Sequence, residues 1–198
     1  MEDIKDMPQI EIHPLEPFLP EGAKVLMMGT FPPKRNRWSM DFYYPNFQND
    51  MWRIVGLVFF GDKGHFLMPT GKMFDKDMIV GFCRDKGIAL SDTAEQAVRH
   101  KDNASDKFLE ITRPRDIQAL LEKIPLCRVI VTTGEKAAAT FASIAGCTVP
   151  AVGGCVEAAI GGREFSLYRM PSSSRAFPMA VEKKAEFYDK MFRDSGIL

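Results

Sequence analysis

The 198-residue sequence has no apolar run near the roughly 20 residues that a bilayer-spanning helix requires, so no membrane segment is expected. Its opening, MEDIKDMPQIEIH, is acidic and lacks an apolar core, so a signal peptide is not expected either. The four cysteines (Cys83, Cys127, Cys147, Cys155) have no CxxC spacing, and Cys83 and Cys127 lie in apolar surroundings. Reduced thiols in a cytoplasmic or nucleoid-associated protein fit that pattern. There is no GxGxxG, no GxxxxGK[ST] and no GxSxG, so the phosphate cradles of dinucleotide and P-loop proteins and the nucleophile elbow of a serine hydrolase are all missing. No His/Cys/Asp cluster has metal-ligand spacing; His65 in GDKGHFLMPT has neither a carboxylate nor a second histidine at such spacing. No metal or organic cofactor is implied. With 26 basic and 26 acidic residues the net charge is zero, which argues against a protein that coats nucleic acid by bulk electrostatics but leaves room for a local basic mouth.

What the sequence does have is an alternation of strands and helices. Residues 1–23 carry Pro8, Pro14, Pro17 and Pro20 and form an extended arm; residues 24–198 form the domain. Val25 to Met28 is a continuous apolar run of the kind buried in a parallel sheet, broken at Gly29. Helical spacing follows over 50–60, with the next helix over 75–86, capped by Gly87. Ile88-Ala89-Leu90 is a second strand. Residues 94–110 are polar and carry no pattern, and a helix is expected over 115–124, capped near Thr112. RVIVTT at 128–133 is a third strand, EKAAATFASIAG a helix, and 147–164 a glycine-rich loop with a hairpin. The hairpin's second arm, 165–170, is the fourth core strand, and an amphipathic helix over 179–192 closes the chain. The expected fold is an α/β domain: a three-layer α/β/α sandwich around a central, mainly parallel four-stranded sheet.

In such sheets ligands bind at the carboxyl ends of the strands. That brings together the loops after Gly29, Leu90 and Met170. The first contains Thr30-Phe31-Pro32-Pro33, the basic Lys34, Arg35 and Arg37, then Phe42, Tyr43, Tyr44, Phe47 and Trp52 beside Asn46 and Asn49. The second contains Ser91 and Asp92, and the third reads Pro171-Ser172-Ser173-Ser174-Arg175. Aromatic rings beside amides suit a flat polar ring that is stacked and read along its edge. A Pro-Ser-Ser-Ser turn offers hydroxyl and backbone donors to a phosphodiester. Together they describe a pocket for a flipped-out nucleobase. On composition alone a plainer reading stands beside it, in which Tyr43, Tyr44 and Trp52 are core, the serines are a turn, and Asn49 caps the helix that follows.

The strand-GTFPP opening followed by YYPNFQNDMW resembles the first motif of the uracil-DNA glycosylase superfamily, and strand-MPSSSRA resembles its second, the Pro-Ser minor-groove loop. The resemblance runs from about residue 24 to residue 190 and is nearest to the hypoxanthine-DNA glycosylase branch, through Gly29, Thr30, Pro32, Tyr43, Tyr44, Asn49 and Trp52. It implies a monofunctional DNA glycosylase of base excision repair that acts as a monomer on DNA carrying a deaminated base, uracil or hypoxanthine, and leaves an abasic site. By the same resemblance Tyr44, or Tyr43 in a shifted register, stacks on the extruded base, and Asn49 stands at the catalytic centre. Thr30, Phe31, Ser91 and Asp92 surround the base. Ser172, Ser173 and Ser174 grip the backbone beside Lys34, Arg35 and Arg37, while Arg175 wedges the vacated space. The sequence departs from the family at two places. Phe31 occupies the position of the usual catalytic Asp or Asn, and Met170 that of a histidine found in several branches. An amide such as Asn49 is no strong general base, so catalysis would rest on positioning and charge stabilisation. Two rivals follow: a catalytically silent nucleic-acid-binding module of the same fold, and a hydrolase of free nucleosides or nucleotides.

Overall fold

A computed structural model describes residues 9–101 and 106–198 of the chain. Its strands are β1 (Ile10–Ile12), β2 (Val25–Gly29), β3 (Ile88–Asp92), β4 (Ala94–Arg99), β5 (Leu109–Pro114), β6 (Val129–Thr133), β7 (Cys155–Ile160) and β8 (Arg163–Met170). Its helices are α1 (Met51–Phe60), α2 (Lys76–Lys86), α3 (Ile117–Glu122), α4 (Glu135–Ala145) and α5 (Val181–Asp194). The main sheet has the order β3-β2-β6-β8-β7. The four strands β3, β2, β6 and β8 run parallel, as the apolar runs predict, and the hairpin's first arm, β7, adds a fifth, antiparallel edge.

Strand alternation divides the core between the two faces of this sheet. Val25, Met27, Leu90 and Val131 face α1, α2 and α5, whose Trp52, Ile54, Ile79, Tyr188 and Phe192 complete one apolar cluster. Leu26, Met28, Ala89 and Ile130 face α3 and α4, with Leu120, Leu121 and Phe141 completing the other. A central strand buried on both faces must be apolar throughout, and every residue of β2 is buried. The result is a three-layer sandwich.

A second sheet, β1-β4-β5, is antiparallel and has no counterpart in the sequence reading. The β4 ladder shifts register between Ala94 and Ala97, which breaks the period-two pattern that reveals a half-buried strand. Residues 94–110 therefore look patternless although Ala94, Ala97 and Val98 are buried. The same sheet corrects the expected start of α3. Thr112 lies within β5, and the helix is capped instead by Asp116, whose carboxylate accepts from the Ala119 N–H at 2.9 Å. The proline-rich arm is extended and packed onto the domain: Ile10–Ile12 pairs with β4, and Phe18 exchanges two backbone bonds with Leu90 on the outer edge of β3. Residues 1–8 of that arm lie outside the described residues, as do 102–105 of the polar stretch.

All four cysteines carry free thiols. Burial pushes the Cys83 thiol up to about 12 and the Cys127 thiol to about 11, which suits core residues rather than nucleophiles. Among the described residues no helix is long and apolar enough to cross a membrane.

Candidate active site

The carboxyl ends of β2, β3, β6 and β8 open into one cleft of about 930 Å³. Gly29, Thr30, Phe31, Tyr44, Asn49, Asp92, Thr133, Gly134 and the loop from Met170 to Pro178 all line it. The three loops singled out in the sequence thus meet, and the turn after β6 joins them.

Each candidate has a distinct setting. Tyr43 is 2% exposed, lies edge-on to Phe42 and donates its hydroxyl to the Glu16 carbonyl at 3.1 Å, so its ring is largely committed to the core. Tyr44 is half-buried, packs edge-on against Trp52 and sits 3.3 Å from the Thr133 hydroxyl. Of the two, Tyr44 has the ring surface to offer a ligand. Its φ of +53° is the one left-handed conformation of a non-glycine residue among the described residues. Such backbone strain, of order 1–2 kcal/mol, persists only where surrounding structure enforces it and marks positions worth testing for function. Desolvation holds the Tyr44 phenol above its ordinary range, so it acts as a neutral donor or stacking surface.

Asn49 sits at the mouth of α1. Its Oδ1 accepts from the Met51 N–H at 2.9 Å, a helix-capping contact, and among the described residues its Nδ2 has no partner. The amide therefore caps the helix and keeps donors free in one side chain. Asp50 contributes no cap because its buried carboxylate is engaged elsewhere: Oδ1 lies 2.9 Å from Arg175 Nε and 3.5 Å from Arg53, and Oδ2 lies 4.0 Å from Lys184. Arg175 is consequently folded back, with a further contact to Gln48 at 3.2 Å, and braces its loop rather than projecting as a wedge.

The serine loop is tied down from behind. The Pro171 carbonyl accepts from the Tyr188 hydroxyl, the Ser173 carbonyl from the Asp50 N–H, and the Ser174 carbonyl from Lys184. The Ser172 hydroxyl oxygen accepts from the Ser174 N–H, and that of Ser174 from the Ala176 N–H. Each hydroxyl is oriented by an accepted bond while its own proton remains available to an outside acceptor. Ser173 is 3% exposed and serves the loop's anchorage.

Thr30 and Phe31 line the cleft, Thr30 buried with its hydroxyl donated to Asp106 Oδ2 at 2.8 Å, and Phe31 edge-on to His13. Asp92 also lines it, with Oδ2 2.8 Å from His13 Nε2. Ser91 is 1% exposed and its side chain is not among those lining the cleft, because adjacent residues of a strand point to opposite faces and Asp92 is the one that reaches the opening. Of the basic cluster, Arg37 lines the cleft. Arg35 is exposed, stacks on Trp38 and pairs with Asp41 at 3.0 Å, and Lys34 is exposed on the same outer turn.

The sequence reading missed His13, Asp106, Lys107, Lys136 and Arg169. His13 comes from the arm, and its role depends on the unrecognised β1–β4 pairing. Asp106 and Lys107 lie in the stretch that looked patternless, while Lys136 and Arg169 sat in elements read as framework. His65 is stacked on Phe60 at 3.6 Å, whereas the His100 side chain is 49% exposed. No group of three or more His, Cys, Asp or Glu residues that could hold a metal ion occurs among the described residues.

No protein-family model matches the chain, and no curated protein matches it in sequence. A solved structure does. It is a solution NMR structure from Methanosarcina acetivorans, named "a putative Uracil DNA glycosylase", which superposes with a TM-score of 0.63 over 95% of this chain and 99% of the other, at 21% identity. The two chains share one fold. At 21% identity the likeness is one of fold.

Proposed function

We propose that this protein is a monofunctional DNA glycosylase that extrudes a deaminated base, uracil or hypoxanthine, and hydrolyses its N-glycosidic bond to leave an abasic site. The observation that carries the reading is the pairing, across one cleft, of the half-buried Tyr44 ring with a serine loop whose carbonyls are bonded inward and whose hydroxyls are free to donate. A ring and an edge of amide donors suit an unstacked base, and hydroxyls without net charge suit the phosphodiester beside it. The shared fold with the protein named "a putative Uracil DNA glycosylase" supports the same reading.

In this reading Tyr44 stacks on the base, and Asn49 directs its free amide donors at the departing base or the water. Ser172 and Ser174 hold the backbone. Arg175 acts through Asp50 to fix the serine loop, and Arg37, Lys107 and Lys136 give the neutral protein a locally basic rim. Catalysis comes from orientation and from stabilising charge on the leaving base.

The test is base release from short duplexes and single strands that each carry one uracil, hypoxanthine, xanthine or mismatched thymine. Abasic sites are read by alkaline cleavage, with Asn49→Ala beside wild type. Release that falls at least tenfold in the variant supports the reading and names the base. No release from any substrate at stoichiometric protein would replace it with a silent binding module, for which Phe31 and Met170 in the usual catalytic positions already argue.

A further inference from the structure

The glycosylase reading leaves one chemical role unfilled, because Phe31 has no proton chemistry and the Asn49 amide is no base. Among the described residues three carboxylates line the cleft: Asp92, Asp106 and Glu135. Asp92 is committed. Its Oδ2 is bonded to His13, and its Oδ1 fills the space beside Gly29, 2.6 Å from where a Cβ there would lie. The Glu135 side chain is 84% exposed and swings out to Arg169 at 3.8 Å. Asp106 differs from both. Oδ2 accepts from the Thr30 hydroxyl at 2.8 Å, which fixes the carboxyl's orientation, and Oδ1 has no partner among the described residues.

We propose that Asp106 is the general base of the site, taking a proton on Oδ1 from the water that attacks the sugar. The inference rests on the glycosylase reading above. In the step, the C1′–N bond breaks and its electron pair leaves with the base. The water oxygen bonds C1′, one of its protons passes to Asp106 Oδ1, and the departing base is protonated by solvent. Asp106 then returns its proton to solvent. Thr30, on the loop after β2, is the positioning residue that holds the carboxyl for this task.

The electrostatic setting agrees with that geometry. Burial foremost, then the neighbouring Asp92, holds the Asp106 carboxyl above the ordinary carboxylate range, while the Thr30 hydroxyl, Lys136 on α4 and Arg99 on β4 pull the other way. A carboxylate raised toward neutrality is a better proton acceptor than an exposed one. Lys136 is itself held by the Leu109 carbonyl, and Arg99 by Glu11 and the Pro32 carbonyl, each at 3.0 Å in the case of Arg99.

The test is the pH–rate profile of single-turnover base release for wild type, Asp106→Asn and Thr30→Val. It is run beside affinity for a duplex holding a non-cleavable abasic analogue. Asp106→Asn keeps an oxygen for the Thr30 hydroxyl, and we expect release to fall about 100-fold or more, the lower range of general-base contributions. We also expect loss of the acid limb and no weakening of abasic-DNA binding. Thr30→Val, which removes a bond favouring the ionised form, shifts the acid limb to higher pH. Release within threefold of wild type in Asp106→Asn, or an acid limb that persists there, overturns the inference and leaves the glycosylase reading intact. So does a slow variant whose abasic-DNA binding falls in parallel, since that would mark a structural role. Wild-type protein silent on every base would overturn the reading itself, and the inference with it.

Discussion

Lys184 has no exposed surface, yet its ammonium donates to the Ser174 carbonyl at 2.8 Å and lies 4.0 Å from Asp50. A helix of the framework thereby reaches through the core to hold the backbone of the serine loop. Burial pulls the lysine below its ordinary range, an effect that Asp50 opposes and Arg175 reinforces. The cation is kept in place because its hydrogen bond and the shared carboxylate offset its desolvation.

Removing that cation should be costly. Lys184→Ala leaves the Ser174 carbonyl without its donor and opens a void, and we expect a loss of about 3 kcal/mol in urea unfolding. Lys184→Met keeps most of the volume and should cost less than half as much. If the lysine positions the loop, Lys184→Met still weakens DNA binding. Affinity equal to wild type in that variant would reduce Lys184 to a packing residue.

Asn49 separates capping from chemistry through a pair of substitutions. Asn49→Ala removes the acceptor of the Met51 N–H and should cost about 1 kcal/mol of stability. Asn49→Asp keeps the acceptor but replaces the free amide donors with a carboxylate oxygen, so stability should stay within about 0.5 kcal/mol of wild type while base release falls at least tenfold. An Asp variant with unimpaired release would leave Asn49 as a cap and nothing more.

How much of this was legible in the sequence follows from which signals survive tertiary structure. The central strands declare themselves because burial on both faces demands apolar runs, as in VLMMG and VIVTT, whereas β8, REFSLYRM, shows through buried residues that alternate with less buried ones. The helices α1, α2 and α4 show through apolar spacing and their terminal glycines, Gly61, Gly87 and Gly146, all in the left-handed region. The cleft followed from topology, since loops at the carboxyl ends of parallel strands must lie together. The small sheet did not show, because a register shift scrambles AEQAVR and its partners are 84 or more residues away in the case of Ile10 to Ile12. With it went His13, the buried partner of Asp92, and Asp106, whose place in the cleft depends on pairing rather than on any local motif. The Asn49 side chain illustrates a different limit: cap and catalyst were posed as alternatives, and the geometry allows one amide to do both.

Asp106 carries a prediction about stability that is independent of activity. Its carboxyl is raised in the folded state, so between the unfolded and folded pKa the native protein binds more protons than the unfolded chain. Stability from this group is fully present below the unfolded carboxylate range and is lost as pH rises through the folded value. Asp106→Asn, which cannot ionise, should therefore gain stability relative to wild type at pH 7, and the gain should vanish toward pH 3. Urea midpoints at the two pH values check this. A wild type more stable than the variant at neutral pH would show that the neighbouring Lys136 and Arg99 outweigh burial.

Tyr44 joins a strained backbone to a ring that faces the cleft, and two small substitutions separate the contributions. Tyr44→Ala and Tyr44→Gly both delete the ring and its contact with Trp52, but only glycine adopts a φ of +53° without a Cβ penalty. The glycine variant should be the more stable of the two by about 1 kcal/mol, measured by urea unfolding, even though glycine is usually the poorer choice for a folded chain. If the strain is tolerated because it turns the ring toward a base, both variants should lose the stacking contribution alike. That is about 1–3 kcal/mol, or roughly a 5- to 150-fold drop in base release or affinity for a base-flipped duplex. Wild-type release from Tyr44→Gly would place the base elsewhere in the cleft and leave the left-handed tyrosine as a packing device against Trp52 and Thr133.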